Sequence, residues 1–252
     1  MEHIFDIKLA RLYEEWTRSP EGILIDELSN ELIMRILRPK KGESVLDIGC
    51  GTGNHLLFFH KLGLDITGID ASPYMLDIAK SRLGNKASLK LGRADNLPFE
   101  DNEFDISTLI ITLEFIDNPL PVLREAGRVT KNKIFIGGLN QLSFRCIFRK
   151  CYALFHESIF RNIHLFTLWD LKKNVERAYG KMPLEWGSVH TMPFFFMEYA
   201  RKFEESLFVQ SSPFGSFLGL TVKIMYTVKT ENIRIAETLK KGTESLAGIS
   251  DF

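Results

Sequence analysis

Two hydrophobic periods divide the chain. Through the first 38 residues apolar positions recur at helical spacing. Ile4, Ile7, Leu12 and Trp16 are loosely periodic, "SPEG" at 19–22 breaks the run, and Ile25, Leu28, Leu32, Ile36 and Leu37 resume it until Pro39 and Gly42. From Ser44 onward short β-branched runs alternate with helical segments. "SVLDI" (44–48), "DITGID" (65–70), "SLKLG" (88–92), "FDISTLI" (104–110) and "KIFIGG" (133–138) read as strands. Helices are predicted between them over 54–63, 72–84 and 118–129. Ser72 and Asn118 stand at N-cap positions, Pro73 and Pro119 suit first turns, and Gly63 and Gly84 suit helix ends.

Strands alternating with helices imply parallel pairing through right-handed crossovers, and hence a doubly wound α/β sheet over residues 44 to 139. The chain beyond Asn140 is less regular. A helix is predicted over 167–180, with Thr167 as its N-cap and Asp170 three residues on. A strand is predicted over 184–192, a short helix over 194–208 and a last strand over 216–228, followed by a polar tail. The expected organisation is a single domain of residues 1–252. It comprises helices over 1–42, a sheet core over 43–140, a cover and last strands over 141–228, and a tail over 229–252.

Composition narrows the function classes. The 32 basic and 32 acidic residues cancel, so no global positive field favours nucleic acid. The three cysteines, Cys50, Cys146 and Cys151, make no disulfide framework and fit a reducing compartment. Cys146 and Cys151 lack the second Cys pair or spaced His that a zinc site needs, so no metal is expected. The N-terminus, "MEHIFDIKLARLYEEW", is too charged for a signal peptide, and no run reaches the roughly 18 apolar residues of a membrane span. A cytoplasmic protein is expected.

The chemistry lies at the ends of the first strands. In "DIGCGTGN" the glycines are Gly49, Gly51 and Gly53, flanking Cys50. Such a turn lets backbone approach a ligand closely, and the helix after it favours an anion at its start. A dinucleotide fingerprint would place the third glycine at 54, where Asn54 stands. Asp70 ends the second strand, where a carboxylate accepts hydrogen bonds from ribose hydroxyls. Asp95, in "GRADNLPFEDNEFD", follows the third strand, placed to accept from an adenine amino group with Leu97 and Pro98 over the ring. Taken singly, each of these features is also an ordinary turn, cap or solvated loop.

In order and spacing these motifs resemble the class I S-adenosylmethionine-dependent methyltransferases, specifically their "type 11" small-molecule branch. "VLDIGCGTG", "ITGIDASPYMLDIAK", "GRADNLPFEDNEFD" and "ISTLIITLEFIDNP" are similar to its four successive motifs, across residues 44 to 140. The resemblance implies a Rossmann-like, seven-stranded, mostly parallel sheet with an antiparallel last strand and a helical lid. It also implies S-adenosyl-L-methionine as cofactor. Asp47 then orders the glycine loop, and Gly49, Cys50 and Gly51 present backbone to the methionine moiety. Asp70 takes the ribose, Ala71 and Met75 line the adenosine, Asp95, Asn96 and Leu97 form the adenine site, and Thr112, beside Leu113, sits near the sulfonium. Tyr13, Trp16 and Gly22 resemble the lid of one subgroup. Phe115 stands where many relatives have His, and "RVTKNK" replaces the family's Pro-Gly-Gly turn.

No catalytic residue is legible, because the activated methyl group already resides on the cofactor and the protein's task is alignment. Glu114, His55, His164 and His190 are the candidates for proton handling. The implied acceptor is a small molecule, apolar or anionic. Residues 131–181 hold ten basic and three acidic side chains among many aromatics. This segment reads as a helical insertion packed on the sheet, the alternative being a peripheral membrane contact. The pattern leaves oligomeric state undetermined. A nicotinamide oxidoreductase is disfavoured by Asn54 and the Asp95 loop, and a nucleic-acid enzyme by the "TLEF" that follows the fourth strand. A non-catalytic protein that binds or senses S-adenosylmethionine shares every motif, and turnover separates it from an enzyme.

Overall fold

The computed structural model describes residues 5–143, 163–189 and 212–224. Helices α1 (Ile7–Thr17) and α2 (Pro20–Leu37) precede the sheet. There follow β1 (Ser44–Ile48), α3 (Asn54–Lys61), β2 (Asp65–Asp70), α4 (Pro73–Leu83), β3 (Ser88–Leu91) and β4 (Phe104–Ile110). The described chain continues with α5 (Pro119–Val129), β5 (Thr130–Leu139), α6 (Leu168–Tyr179), β6 (Leu184–Val189) and β7 (Phe217–Lys223). The predicted short helix over 194–208, the tail and most of the basic aromatic segment lie outside the described residues, as do Cys146, Cys151 and His190.

The seven strands form one sheet in the order β3-β2-β1-β4-β5-β7-β6. The first five pair in parallel, and β7 runs antiparallel to both β5 and β6. β1 lies between β2 and β4, so the crossovers reverse direction at its carboxyl end. That reversal opens the crevice in which doubly wound sheets bind ligands.

Strand alternation divides the core between the two faces. In β5, Phe135 packs toward α2 and α3 with Leu32, Leu56 and Phe59, while Ile134 and Ile136 face α5 and α6 with Leu123 and Leu171. Each fully buried Leu or Phe of this kind contributes about 1.5–3 kcal/mol. Both faces are covered, which is why the parallel strands read as almost continuous apolar runs.

The predicted caps form. Ser72 and Asn118 side chains accept from the Met75 and Leu120 amides, and Thr167 and Asp170 complete a capping box. "SPEG" breaks the helical run, dividing α1 from α2, and it also starts the second helix: Ser19 caps α2 through the Gly22 amide and Pro20 occupies its first turn. One boundary differs from the sequence reading. β5 begins at Thr130, directly from α5, so the missing Pro-Gly-Gly turn leaves no separate connection at all. No helix among the described residues is long and apolar enough to cross a membrane.

Candidate functional site

A cavity opens at the carboxyl ends of β1, β2 and β4, roofed by Phe5 and Tyr13 from the N-terminal segment. Nine of the eleven residues singled out from sequence line it: Asp47, Gly49, Cys50 and Gly51 from the first turn, Asp70, Ala71 and Met75 from the second, and Asp95 and Thr112. Asn96 and Leu97 do not. Asn96 is exposed and bridges to Arg93, and Leu97 is buried in the core beside Phe99 and Phe104. The cause is an anchor that turns this loop away from the cavity. The Leu97 amide donates to Glu125 at 2.9 Å, and Arg128 donates to the Leu97 and Phe99 carbonyls at 3.0 and 2.8 Å. Pro98 is exposed and likewise outside the lining, so the apolar wall beside Asp95 comes from Ile69, Ala94 and Val122 instead.

The glycine loop is held by its neighbours. The Gly49 and Cys50 amides both donate to the Ile69 carbonyl, at 2.7 and 3.1 Å. Gly49 has φ +75°, and a Cβ there would lie 2.5 Å from the Thr112 methyl group. Gly51 has φ +51°, and a Cβ there would meet nothing within 4 Å, because the backbone faces the open cavity. Its amide donates to Asp70 at 2.9 Å, while the other Asp70 oxygen accepts from the Ser72 amide at 2.8 Å. Asp70 thus orders the loop, a task the sequence reading gave to Asp47. Asp47 instead accepts from Thr108 Oγ1 at 2.6 Å. Gly53 caps α3 without a side-chain bond, leaving that helix's first amides available.

The electrostatics are distinctive. Burial raises the pKa of Asp47 and of Asp70 above the usual carboxylate value, against the opposing pull of His55 and Thr108 on the first and of backbone amides on the second. Burial and these two carboxylates push the Cys50 thiol well up, so it stays protonated and is no nucleophile. Burial raises the Tyr13 phenol too. The only basic side chains in the described lining are His55 and Arg93, and Arg93 forks onto Asp95 at 2.9 and 2.6 Å, which lowers the Asp95 pKa. The cavity therefore holds acidic groups that an incoming cation would relieve, and no cationic cluster for a pyrophosphate.

The candidates for proton handling separate. His55 lines the cavity, with Nε2 3.7 Å from Asp26 Oδ1 and making no hydrogen bond among the described residues. Glu114 lies outside the lining, buried behind it, and accepts from the Leu139 amide at 2.6 Å. His164 is exposed beside Asp117 at 3.3 Å. Tyr13, Trp16 and Gly22 do come together: the two rings lie 5.9 Å apart, and Gly22 sits against the Trp16 carbonyl, where any Cβ would collide.

Sequence reasoning missed Phe5, Ile111 and Ile116. Phe5 stacks edge-on against Phe115 at 4.9 Å, so the residue that replaces a common His helps close the cavity. Ile111 has φ +54°, a strained conformation for a β-branched residue, just past β4 on the cavity wall. Among the described residues there is no cluster of three or more groups able to hold a metal.

Residues 46–136 match a family model described as a methyltransferase domain. A demethylmenaquinone methyltransferase of Staphylococcus aureus is 33% identical over 133 residues, 50% of this chain and 55% of the relative. The chain thus spans about half the length of the curated relatives it matches. Among solved structures, a SAM-dependent methyltransferase of Thermotoga maritima superposes with a TM-score of 0.65 at 21% identity, covering 88% of this chain and 98% of that one. Phosphoethanolamine N-methyltransferase 2 of Haemonchus contortus, in complex with S-adenosyl-L-methionine, gives 0.63 at 17% identity over 89% and 58%. At such identities the structural likeness speaks for the fold. The glycine loop, the carboxylates and the strand ends around the cavity all fall inside the matched segment: residues 46–136 are similar to a methyltransferase domain, in a chain with the fold of S-adenosylmethionine-dependent methyltransferases.

Proposed function

We propose that the protein transfers the methyl group of S-adenosylmethionine to a small, apolar acceptor. The observation that carries this reading is the charge of the cavity: Asp47, buried, and Asp70, half-buried, both line it with raised pKa, and among the described residues no basic cluster faces them. A sulfonium and an ammonium relieve that strain, whereas a dinucleotide's pyrophosphate worsens it.

The residues fit the cofactor group by group. Asp70 offers its carboxylate to the ribose while holding Gly51, and Gly51 presents bare backbone to the methionine chain. The uncapped start of α3 suits the methionine carboxylate. Asp47 faces the ammonium, and Asp95, oriented by Arg93, faces the adenine edge. Bound there, the cofactor supplies a methyl group already activated by a positive sulfur. What the chain adds is alignment and exclusion of water. Thr112 is fixed by its bond to the Ile48 carbonyl at 2.8 Å, and Phe5, Phe115, Ile111 and Ile116 enclose the space beside it. Among the described residues that wall carries no cation, which favours an apolar acceptor over an anionic one. The name of the Staphylococcus aureus relative supplies the first acceptor to try, a demethylmenaquinone.

Calorimetry with S-adenosylhomocysteine and with NAD tests the reading. Micromolar binding of the first and none of the second is expected, and the reverse would overturn it. Methyl transfer from labelled cofactor then distinguishes an enzyme from a protein that only binds it.

A further inference from the structure

The junction of α1, α4 and the glycine loop holds a charged relay that cofactor contacts alone do not require. α4 grips the N-terminal segment at two places. At its start, Ser72 Oγ donates to the Phe5 carbonyl at 2.8 Å, just before α1. Near its end, Arg82 Nη2 donates to both carboxylate oxygens of Glu14, at 2.7 and 2.8 Å. The other nitrogen of the same guanidinium, Nη1, donates to the Thr52 carbonyl at 2.5 Å and to Thr52 Oγ1 at 2.8 Å. Thr52 is the buried residue between Gly51 and Gly53.

The pair is largely shielded from water, with side-chain exposures of 18% for Arg82 and 11% for Glu14. A simple tie between two helices needs only the Glu14 fork. A simple brace for the loop needs only Thr52. One planar guanidinium serves both, which a lysine's single point charge cannot reproduce. Glu14 also adjoins Tyr13. Neighbouring helical residues point about 100° apart, so fixing Glu14 against α4 turns the Tyr13 ring over the cavity it lines. Glu14 is further steadied by Arg18, whose Nε donates to it at 3.0 Å.

We infer that Arg82 is a positioning residue for the cofactor: it locks the roof helix α1 and the glycine loop with one side chain, and so sets how long a bound cofactor is retained. This rests on the S-adenosylmethionine reading above. Arg82 does not line the cavity, so its effect passes through Thr52 and Tyr13.

The test follows S-adenosylhomocysteine by stopped flow on the full chain, well below the melting temperature. R82M is expected to release the ligand about ten times faster, with association not slowed, because the roof is loosened while the contacting groups remain. R82K, which keeps a charge near Glu14, should recover part of the retention. E14Q, which leaves Arg82 on Thr52, should speed release by a smaller factor, and it carries the test should R82M fail to fold. Lowered melting temperatures with wild-type release rates in R82M, or in E14Q alone if R82M does not fold, would overturn the inference and leave the cofactor reading intact. Wild-type protein that binds no S-adenosylhomocysteine would overturn both.

Discussion

The Asp70 carboxylate and the Gly51 amide are joined at 2.9 Å, so the group assigned to the ribose is also the group that shapes the loop beneath it. Asp70→Ala removes both functions. A hydrogen bond to a charged group is worth about 1.5–3 kcal/mol, so affinity for S-adenosylhomocysteine should fall at least about 10-fold. Asp70→Asn should lose most of this as well, since its amide nitrogen cannot accept from the second backbone amide. Titration calorimetry measures the change, and unaltered affinity in both variants would remove Asp70 from the ribose site.

Gly49 makes a separate prediction, about stability as well as binding. Its φ of +75° disfavours any side chain, and a Cβ would press on the Thr112 methyl at 2.5 Å. Gly49→Ala should destabilise the protein by about 2–3 kcal/mol from strain and overlap together. Adding Thr112→Ser removes the methyl but keeps the hydroxyl, which bonds the Ile48 carbonyl and itself lies 2.8 Å from that Cβ, so it should restore part of the steric cost. Urea unfolding of the two variants checks this, and a double variant no more stable than Gly49→Ala would show that the methyl contact adds nothing to the cost.

Much of this site was legible because its signals are local. Strand, glycine turn and capped helix follow one another within about 15 residues, and each cap depends on neighbours three positions away. The α5 and α6 caps at Asn118 and Thr167 were readable for the same reason. What was not legible depends on distant partners. Leu97 turns inward because Glu125 and Arg128, nearly 30 residues later, anchor its backbone. Phe5 reaches the cavity because Ser72 holds its carbonyl. The dual grip of Arg82 on Glu14 and Thr52 brings together residues 68 and 30 positions away, and no periodicity marks it.

The charge of the cavity predicts a pH effect on binding. Asp47 and Asp70 have raised pKa values, so both lose charge earlier on acidification than exposed aspartates do. S-adenosylmethionine carries a sulfonium that S-adenosylhomocysteine lacks. The preference for the first over the second should therefore shrink as pH falls, and Asp47→Asn should reduce it already at neutral pH. Because Asp47 is buried and Asp70 half-buried, added salt should screen the Asp47 part of the effect only weakly. Parallel calorimetric titrations of both ligands across pH decide it, and a preference independent of pH would mean that neither carboxylate senses the sulfonium.

Glu114 gives the last prediction, on the stability of the fold itself. Its carboxyl is buried, one oxygen accepts from the Leu139 amide, and the other has no hydrogen-bond partner among the described residues. Burial raises its pKa from 4.5 to about 7, only partly opposed by the Leu139 amide. A carboxyl whose pKa is higher in the folded than in the unfolded state favours folding when protonated. Its contribution is fully present below about pH 4.5 and is lost as pH rises through about 7. At 1.36 kcal/mol per pH unit, that shift amounts to about 3 kcal/mol across the window. Glu114→Gln keeps an acceptor for Leu139 and carries no charge at any pH. The variant should match wild type in melting temperature near pH 4 and exceed it increasingly from about pH 4.5 to about 7, with the difference levelling off above that. Paired thermal scans give the answer, and parallel curves at every pH would show that Glu114 does not titrate within the fold.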